Sequence, residues 1–294
     1  MNNPRNKSLR KLISDQTVQI PGAFNALTAQ AIQKAGFQAV YVSGAGLSNA
    51  VYGLPDVGLI TMTEAAAHAN RIATAVQIPV IVDADTGFGE AINTARTVAE
   101  MEAAGVSAIH LEDQVLPKKC GHLDGKELID AKAMAEKIKA ATAARSDPNF
   151  MIIARTDARG VTSFDDAVDR SRRYLDAGAD AIFPEAMKNR DELAAFAKKI
   201  DAPLLANMTE FGKTPLLPLA ELREMGYAMV IYPQTALRTA FGAITAMLAD
   251  LKKTGDQIAW VDRMQTRAAL YELLDYDGLD RIDRAAKSKP NESC

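Results

Sequence analysis

Ala104-Gly-Val-Ser-Ala-Ile-His-Leu111 decides the fold, because its phrase returns along the chain. It recurs as Ala35-Gly-Phe-Gln-Ala-Val-Tyr-Val, as Ala177-Gly-Ala-Asp-Ala-Ile-Phe and, more loosely, as Met225-Gly-Tyr-Ala-Met-Val-Ile-Tyr. Glycine after a helical stretch is the usual left-handed C′ residue, since it has no Cβ to clash. The apolar run that follows reads as a buried strand. A second phrase, Ile78-Pro-Val-Ile-Val-Asp and Ala202-Pro-Leu-Leu-Ala-Asn, also introduces strands, with proline where it costs least. Working outward, the strands fall at about 17–20, 38–43, 79–84, 107–111, 150–155, 180–184, 203–207 and 229–232. Helical patterns such as Thr94-Ala-Arg-Thr-Val-Ala-Glu-Met lie between them. Eight strands alternating with helices predict an α/β chain folded as a (β/α)8 TIM barrel. A doubly wound open sheet is the alternative, but Ile20-Pro-Gly-Ala-Phe-Asn is no glycine fingerprint.

The 294 residues are read as a single barrel domain. An N-terminal helix occupies about 1–16, C-terminal helices about 234–283 and a polar, disordered tail about 284–294. Those C-terminal helices exceed what a barrel needs and suggest packing on a neighbouring subunit. A formal charge of −3 argues against nucleic acid or an anionic membrane as partner. No apolar run reaches the ~18 residues of a membrane span, and the N-terminus has no secretory apolar core. Two cysteines, Cys120 and Cys294, make neither a disulfide framework nor a zinc set. A cytoplasmic protein with a free thiol at Cys120 is expected.

A barrel places its chemistry at the C-terminal ends of its strands. In this chain those ends carry Tyr41 and Ser43, Asp83 and Asp85, His110, Glu112 and Asp113, Arg155 and Asp157, Glu185, and Asn207 and Thr209. Charges are expensive to bury unpaired, so they either pair with one another or hold a charged ligand. Asp83, Asp85, Glu112 and Asp56 offer hard oxygens suited to Mg²⁺, which keeps waters and takes few direct carboxylates. N-caps and ion pairs to Arg155 are the plainer reading of the same acids. Arg155, Glu185, Asn207 and Thr209 suit recognition of carboxylates, with the arginine as a fork. Gly44 and its neighbours in Ser43-Gly-Ala-Gly46 offer backbone N–H groups to another carboxylate.

The loop of about 113–128 is long for a βα connection, as lids often are. It holds Lys118-Lys-Cys-Gly-His122. The motif reads as a solvated basic loop, as a Cys-His nucleophile pair, or as a thiol general acid–base. The third is favoured: neighbouring cations would lower the thiol pKa towards neutrality. His68 lies on a helical pattern and reads as structural.

With these residues in hand, the chain resembles the isocitrate lyase / phosphoenolpyruvate mutase superfamily. The matching stretches are Tyr41-Val-Ser-Gly, Val82-Asp-Ala-Asp-Thr-Gly-Phe-Gly89, His110-Leu-Glu-Asp-Gln, Lys118-Lys-Cys-Gly-His, Ala154-Arg-Thr-Asp, Phe183-Pro-Glu, Asn207-Met-Thr-Glu-Phe-Gly, Tyr232-Pro and Met264-Gln-Thr-Arg-Ala-Ala-Leu-Tyr-Glu. The Lys-Lys-Cys-Gly-His run is similar to that of the carbon–carbon lyases in this superfamily. The resemblance implies Mg²⁺, with Mn²⁺ as a substitute, on Asp85 and Asp83, with Glu112 acting through water and Asp56 nearby. It implies catalytic roles for Cys120, Tyr41, Lys119 and His122. It implies substrate contacts from Ser43, Gly44, Ala45, Gly121, Arg155, Glu185, Asn207, Met208, Thr209, Arg238 and Arg267. It also implies a homotetramer with exchanged terminal helices. The expected reaction is cleavage of a small polycarboxylate of the methylisocitrate kind, because the chain is short and strand seven ends in Asn-Met-Thr-Glu-Phe-Gly. Isocitrate and 2,3-dimethylmalate are alternatives, with phosphonopyruvate or oxaloacetate chemistry behind them.

Overall fold

The computed structural model describes residues 3–287. All eight expected strands form: β1 (Val18–Pro21), β2 (Val40–Val42), β3 (Val80–Asp83), β4 (Ala108–Glu112), β5 (Met151–Thr156), β6 (Ala181–Pro184), β7 (Leu205–Asn207) and β8 (Met229–Tyr232). Every paired neighbour is parallel, in the runs β2-β3-β4-β5-β6 and β7-β8-β1. The bridges Gly22↔Tyr41 and Ile182↔Leu204 join the two runs and close the ring. The repeat phrase behaves as expected. Gly36, Gly105, Gly178 and Gly226 take φ of 91°, 80°, 104° and 94°, and each leads from a helix end to a strand.

Alternation along the strands sorts the core into two layers. Ala39 and Tyr41, Ile81, Ala108, Met151 and Ile153, Ala181 and Phe183, Leu205, Met229 and Ile231 fill the inside. Val40, Val42, Val80, Val82, Ile109, Leu111, Ile152 and Ile182 face the surrounding helices. Period two then determines which strand-end residues point inward. Asp83 follows Ile81, Glu112 follows His110, Arg155 follows Ile153, Glu185 follows Phe183 and Asn207 follows Leu205, each two residues on.

The N-terminal mouth is closed by the helix Pro4–Asp15, whose fully buried Leu9 joins the inner layer with Leu12 and Ile13 against it. Arg10 fixes that helix across the strand starts, bonding the carbonyls of Pro148 and Asn149 and the Asp180 carboxylate at 2.8 Å. Arg5 does the same at the carbonyls of Ala73, Val76 and Gly105.

The described residues divide into two compact units, 1–238 and from 239 onward. The second unit holds most of the helix Thr235–Thr254, a 3-10 turn Ile258–Arg263 and the helices Arg267–Leu273 and Tyr276–Lys287. The C-terminal helices expected over about 234–283 are thus interrupted after Thr254, Arg263 and Leu273, and Asp275 stands at φ 52°. The tail is also more ordered than expected over 284–287. These residues extend a helix laced by i,i+4 pairs, Lys287 to Asp283 at 2.6 Å and Arg284 to Asp280. Residues 288–294, with Cys294, lie outside the described residues. Among the described residues no helix is long and apolar enough to cross a membrane.

Candidate active site

The C-terminal mouth holds a cavity of about 420 Å³. Tyr41, Ser43, Ala45, Asp56, Asp83, Arg155, Glu185, Asn207, Thr209 and Arg238 line it from the barrel. Cys120, Gly121 and His122 line it from the loop after β4. That loop closes on itself: Val115 N–H donates to Glu127 O, Ile129 N–H to Asp113 O, and the Gln114 side-chain amide takes both backbone groups of Lys119. The long loop is thus a compact unit with a paired neck, and it carries the thiol over the barrel mouth.

The acids converge as their positions predicted. A Cβ built on Gly44 would stand 3.0 Å from Asp83 Oδ2 and 3.4 Å from Asp85 Oδ1, so both carboxylates face one small cradle. Buried Glu112 keeps Oε1 without any hydrogen-bond donor, while Oε2 lies 2.9 Å from Arg155 Nη1. Burial drives Glu112 well above the usual carboxylate range. Burial likewise raises Asp85 to about 6, against the pull of Lys118. No group of three or more His, Cys, Asp or Glu among the described residues forms a ready cage. A hard cation held by one or two carboxylates and completed by water needs none, so the donor set fits Mg²⁺. Asp85 opens onto a second cavity of about 380 Å³ rather than the first.

Several expectations change. The two lysines do not tune the thiol. Lys118 is buried, with Nζ 2.8 Å from Asp85 Oδ1 and also on Asp56, while Lys119 Nζ donates to Gly125 O. Burial raises the Cys120 thiol, with Asp56 and Glu185 adding to it, while the backbone N–H of His122 and the charge of Arg155 oppose it. Lys119 is not among the residues that line the cavity. Gly44 N–H is spent on Asp83 Oδ2 at 3.2 Å, so it does not point at a ligand. The Arg155 fork grips Asp157 at 3.0 and 3.1 Å, and is not open to a substrate carboxylate as expected. Met208 faces the outer layer, its sulfur accepting from Leu217 N–H. Tyr41 is a poor base: burial and then Asp83 hold its phenol protonated, 2.7 Å from His110 Nε2. Arg267 belongs to the second unit, at the start of Arg267–Leu273. His68 is buried on Met62–Ala75, away from the cavity lining.

Other positions gain detail. His122 Nδ1 accepts the N–H of Lys213 at 2.9 Å, so Nε2 carries the proton it shares with Glu185 Oε1, also at 2.9 Å. Burial would raise Glu185, but His122 and Arg155 outweigh it and hold the carboxylate ionised. Asn207 donates to Glu185 Oε2 at 3.1 Å, and its buried Oδ1 has no partner. Ser43 caps the helix Gly44–Tyr52 and receives Gln234 at 3.2 Å. Sequence reasoning overlooked Gln234 and Lys126. Neither has a motif or a period to betray it, and each becomes visible only through its partner.

Residues 9–252 match the family described as phosphoenolpyruvate phosphomutase. The chain belongs to the phosphoenolpyruvate mutase/isocitrate lyase superfamily. It is 52% identical to a Corynebacterium glutamicum protein named probable 2-methylisocitrate lyase 2, over 95% of this chain and 91% of that one. It is 47% identical to the 2-methylisocitrate lyase of Aeropyrum pernix, over 97% and 92%. The crystal structure of a 2,3-dimethylmalate lyase superposes with a TM-score of 0.91 at 36% identity, covering 96% of this chain and 95% of the other. These superfamily folds and the eight parallel strands agree on a TIM-type barrel.

Proposed function

We propose that the chain is a divalent-cation-dependent carbon–carbon lyase that cleaves 2-methylisocitrate to pyruvate and succinate. One observation carries this reading: a thiol that keeps its proton shares a cavity with Tyr41, Asp83, Arg155 and Glu185. The names of the sequence relatives support the same substrate. Asp83 and Asp85 would hold Mg²⁺ or Mn²⁺, with Glu112 and Asp56 acting through water, and the cation would polarise the 2-hydroxyl and its adjacent carboxylate.

The chain's own groups do the rest. A carboxylate-linked water takes the hydroxyl proton, and the protonated Tyr41 phenol donates to the oxygen that becomes the pyruvate carbonyl. The C2–C3 bond breaks and its electron pair passes to the C3 half, briefly the aci-carboxylate of succinate. Arg155, Asn207, Thr209 and His122 surround that charge, with Glu185 holding His122 and Asn207 in place. The Cys120 proton moves to C3. The proton taken from the hydroxyl balances the one given by the thiol, which is reprotonated as products leave. Backbone N–H groups at Ala45, with Ser43 and Arg238, receive the remaining carboxylates, and Arg267 is a further candidate. The loop carrying Cys120 keeps bulk water from protonating the carbanion equivalent.

The whole chain acts as one lyase domain, with its C-terminal helices serving assembly. Phe241, Leu248, Ile258, Val261, Tyr276, Leu279 and Ile282 are each about half exposed or more there, an apolar load that suits a homotetramer. A cytoplasmic location and a small-molecule substrate complete the reading. The test is to follow pyruvate and glyoxylate release from 2-methylisocitrate, isocitrate and 2,3-dimethylmalate, with and without Mg²⁺. Mg²⁺-dependent pyruvate release, fastest from 2-methylisocitrate, is expected. Faster glyoxylate release from isocitrate would overturn the substrate, and cation-independent cleavage would overturn the metal.

A further inference from the structure

Lys126 sits four residues beyond His122, and nothing in the reaction uses it. Yet its side chain is 0% exposed, as is that of its partner Asp157, whose Oδ1 lies 2.6 Å from Nζ. The same Nζ donates to the carbonyl of Gly121, the residue that follows Cys120. A buried lysine is costly unless paired, and here the pairing joins two parts of the protein. Asp157 stands just beyond β5, fixed by its backbone N–H on Asp113 at 2.9 Å and by Arg155 at 3.0 Å. Gly121 belongs to the loop. The ammonium therefore bolts the thiol's own peptide segment to the barrel rim.

Two glycines make this contact possible. A Cβ on Gly121 would come within 2.4 Å of Arg155 Nη2 and 2.5 Å of Glu185 Cγ, so only a bare backbone can rest on that rim. Gly160 lies inside the short helix Ala158–Val161, where glycine is a poor helix former. A Cβ there would stand 3.2 Å from Lys126 Nζ, so its absence leaves room for the ammonium.

We propose that Lys126 is the positioning residue for Cys120: held by Asp157, it latches the Gly121 carbonyl and seats the thiol over the cavity. This rests on the reading of Cys120 as proton donor. It makes Lys126 a determinant of turnover without touching substrate. On the other side of the thiol Lys118 bonds Asp56 and Asp85, so the loop is pinned to the barrel on both flanks of Cys120.

The test compares wild type, Lys126→Met and Gly160→Ala in the full chain. Alkylation of Cys120 by iodoacetamide is followed by peptide mass spectrometry, alongside thermal melting and steady-state kinetics with 2-methylisocitrate and Mg²⁺. In Lys126→Met, Cys120 should alkylate about tenfold faster and kcat should fall about 100-fold, the scale of an ångström-sized misplacement. KM should stay within about threefold, because the latch places the proton donor and not the groups that bind substrate. Gly160→Ala should move both readouts in the same direction by less. A lower melting temperature with unchanged alkylation and kcat would make Lys126 a structural ion pair only, and overturn the proposal. Should Lys126→Met not fold, Gly160→Ala retains both charges, and its unchanged alkylation would overturn it equally. A wild type inactive on 2-methylisocitrate would defeat the functional reading, while the alkylation comparison would still decide the latch.

Discussion

The two mouths of the barrel solve one backbone problem differently. At the N-terminal mouth the chain must turn into the left-handed region after four helices, and glycine does so each time: Gly36, Gly105, Gly178 and Gly226. At the C-terminal mouth Gly87, Gly89 and Gly125 do the same, but Asp85, Phe88, Ala186 and Phe211 also take φ of 46° to 60° although each carries a Cβ. The first arrangement is free of strain. The second costs energy and persists only where the surroundings over-determine it, as at functional sites. Polar groups divide less sharply. Leu9 seals one mouth among apolar side chains, yet Asn6 Oδ1 and Ser107 Oγ are buried there without hydrogen-bond partners, as Glu112 Oε1, Asn207 Oδ1 and His110 Nδ1 are near the other. One end stores stability and the other spends it on a site.

Four experiments would break or sharpen this division. The largest effect belongs to Cys120→Ser, in which a far weaker acid replaces the thiol. Turnover should fall about 1000-fold, within the usual range for losing a general acid, with melting and Mg²⁺ binding little changed. Near-normal turnover would remove Cys120 from the chemistry. Next is Leu9→Ala at the opposite mouth, which should cost about 2–5 kcal/mol in urea unfolding. Its kcat per folded molecule should be preserved, and a loss of kcat there would show that the mouths are coupled.

Gly178→Ala should cost about 1–2 kcal/mol, the penalty of a Cβ in the left-handed region. A Cβ there also meets Thr142 Oγ1 at 3.0 Å, and an unchanged melting temperature would count against the strain-free account of that mouth. The smallest effect concerns pH. Burial lowers His110 to about 4, although Asp83 opposes it. In the unfolded chain the imidazole titrates near its usual ~6.5. Between those values the unfolded state takes up a proton that the folded state refuses, so stability falls as the solution is acidified. His110→Gln should abolish this contribution of at most about 1.4 kcal/mol per pH unit. Identical pH profiles of the urea midpoint in the two proteins would mean that His110 takes up its proton as readily in the fold as in the unfolded chain, and that burial does not lower it.

The strands were legible because they announce themselves locally. Ala104-Gly and Ala177-Gly mark helix exits, the apolar runs after them mark β4 and β6, and alternation from Ile81 to Asp83 or Ile153 to Arg155 already aims those side chains inward. Most of the cavity lining therefore followed from position along a strand. Loop residues gave no such guidance. Adjacent lysines beside a cysteine suggested an activated thiol, yet Lys118 turns to Asp56 and Asp85, Lys119 to Gly125, and burial raises Cys120 instead. Arg155 suggested an open fork, but Asp157 two residues on closes it.

The sequence by itself determined the barrel, the order of its strands and which residues crown them, because both periodicity and glycine exits are properties of a few consecutive residues. Only the tertiary structure decided the charge state of the thiol, the partners of the lysines and the latch at Lys126. Those depend on which distant groups share a buried volume, and a loop without periodicity carries no local record of them.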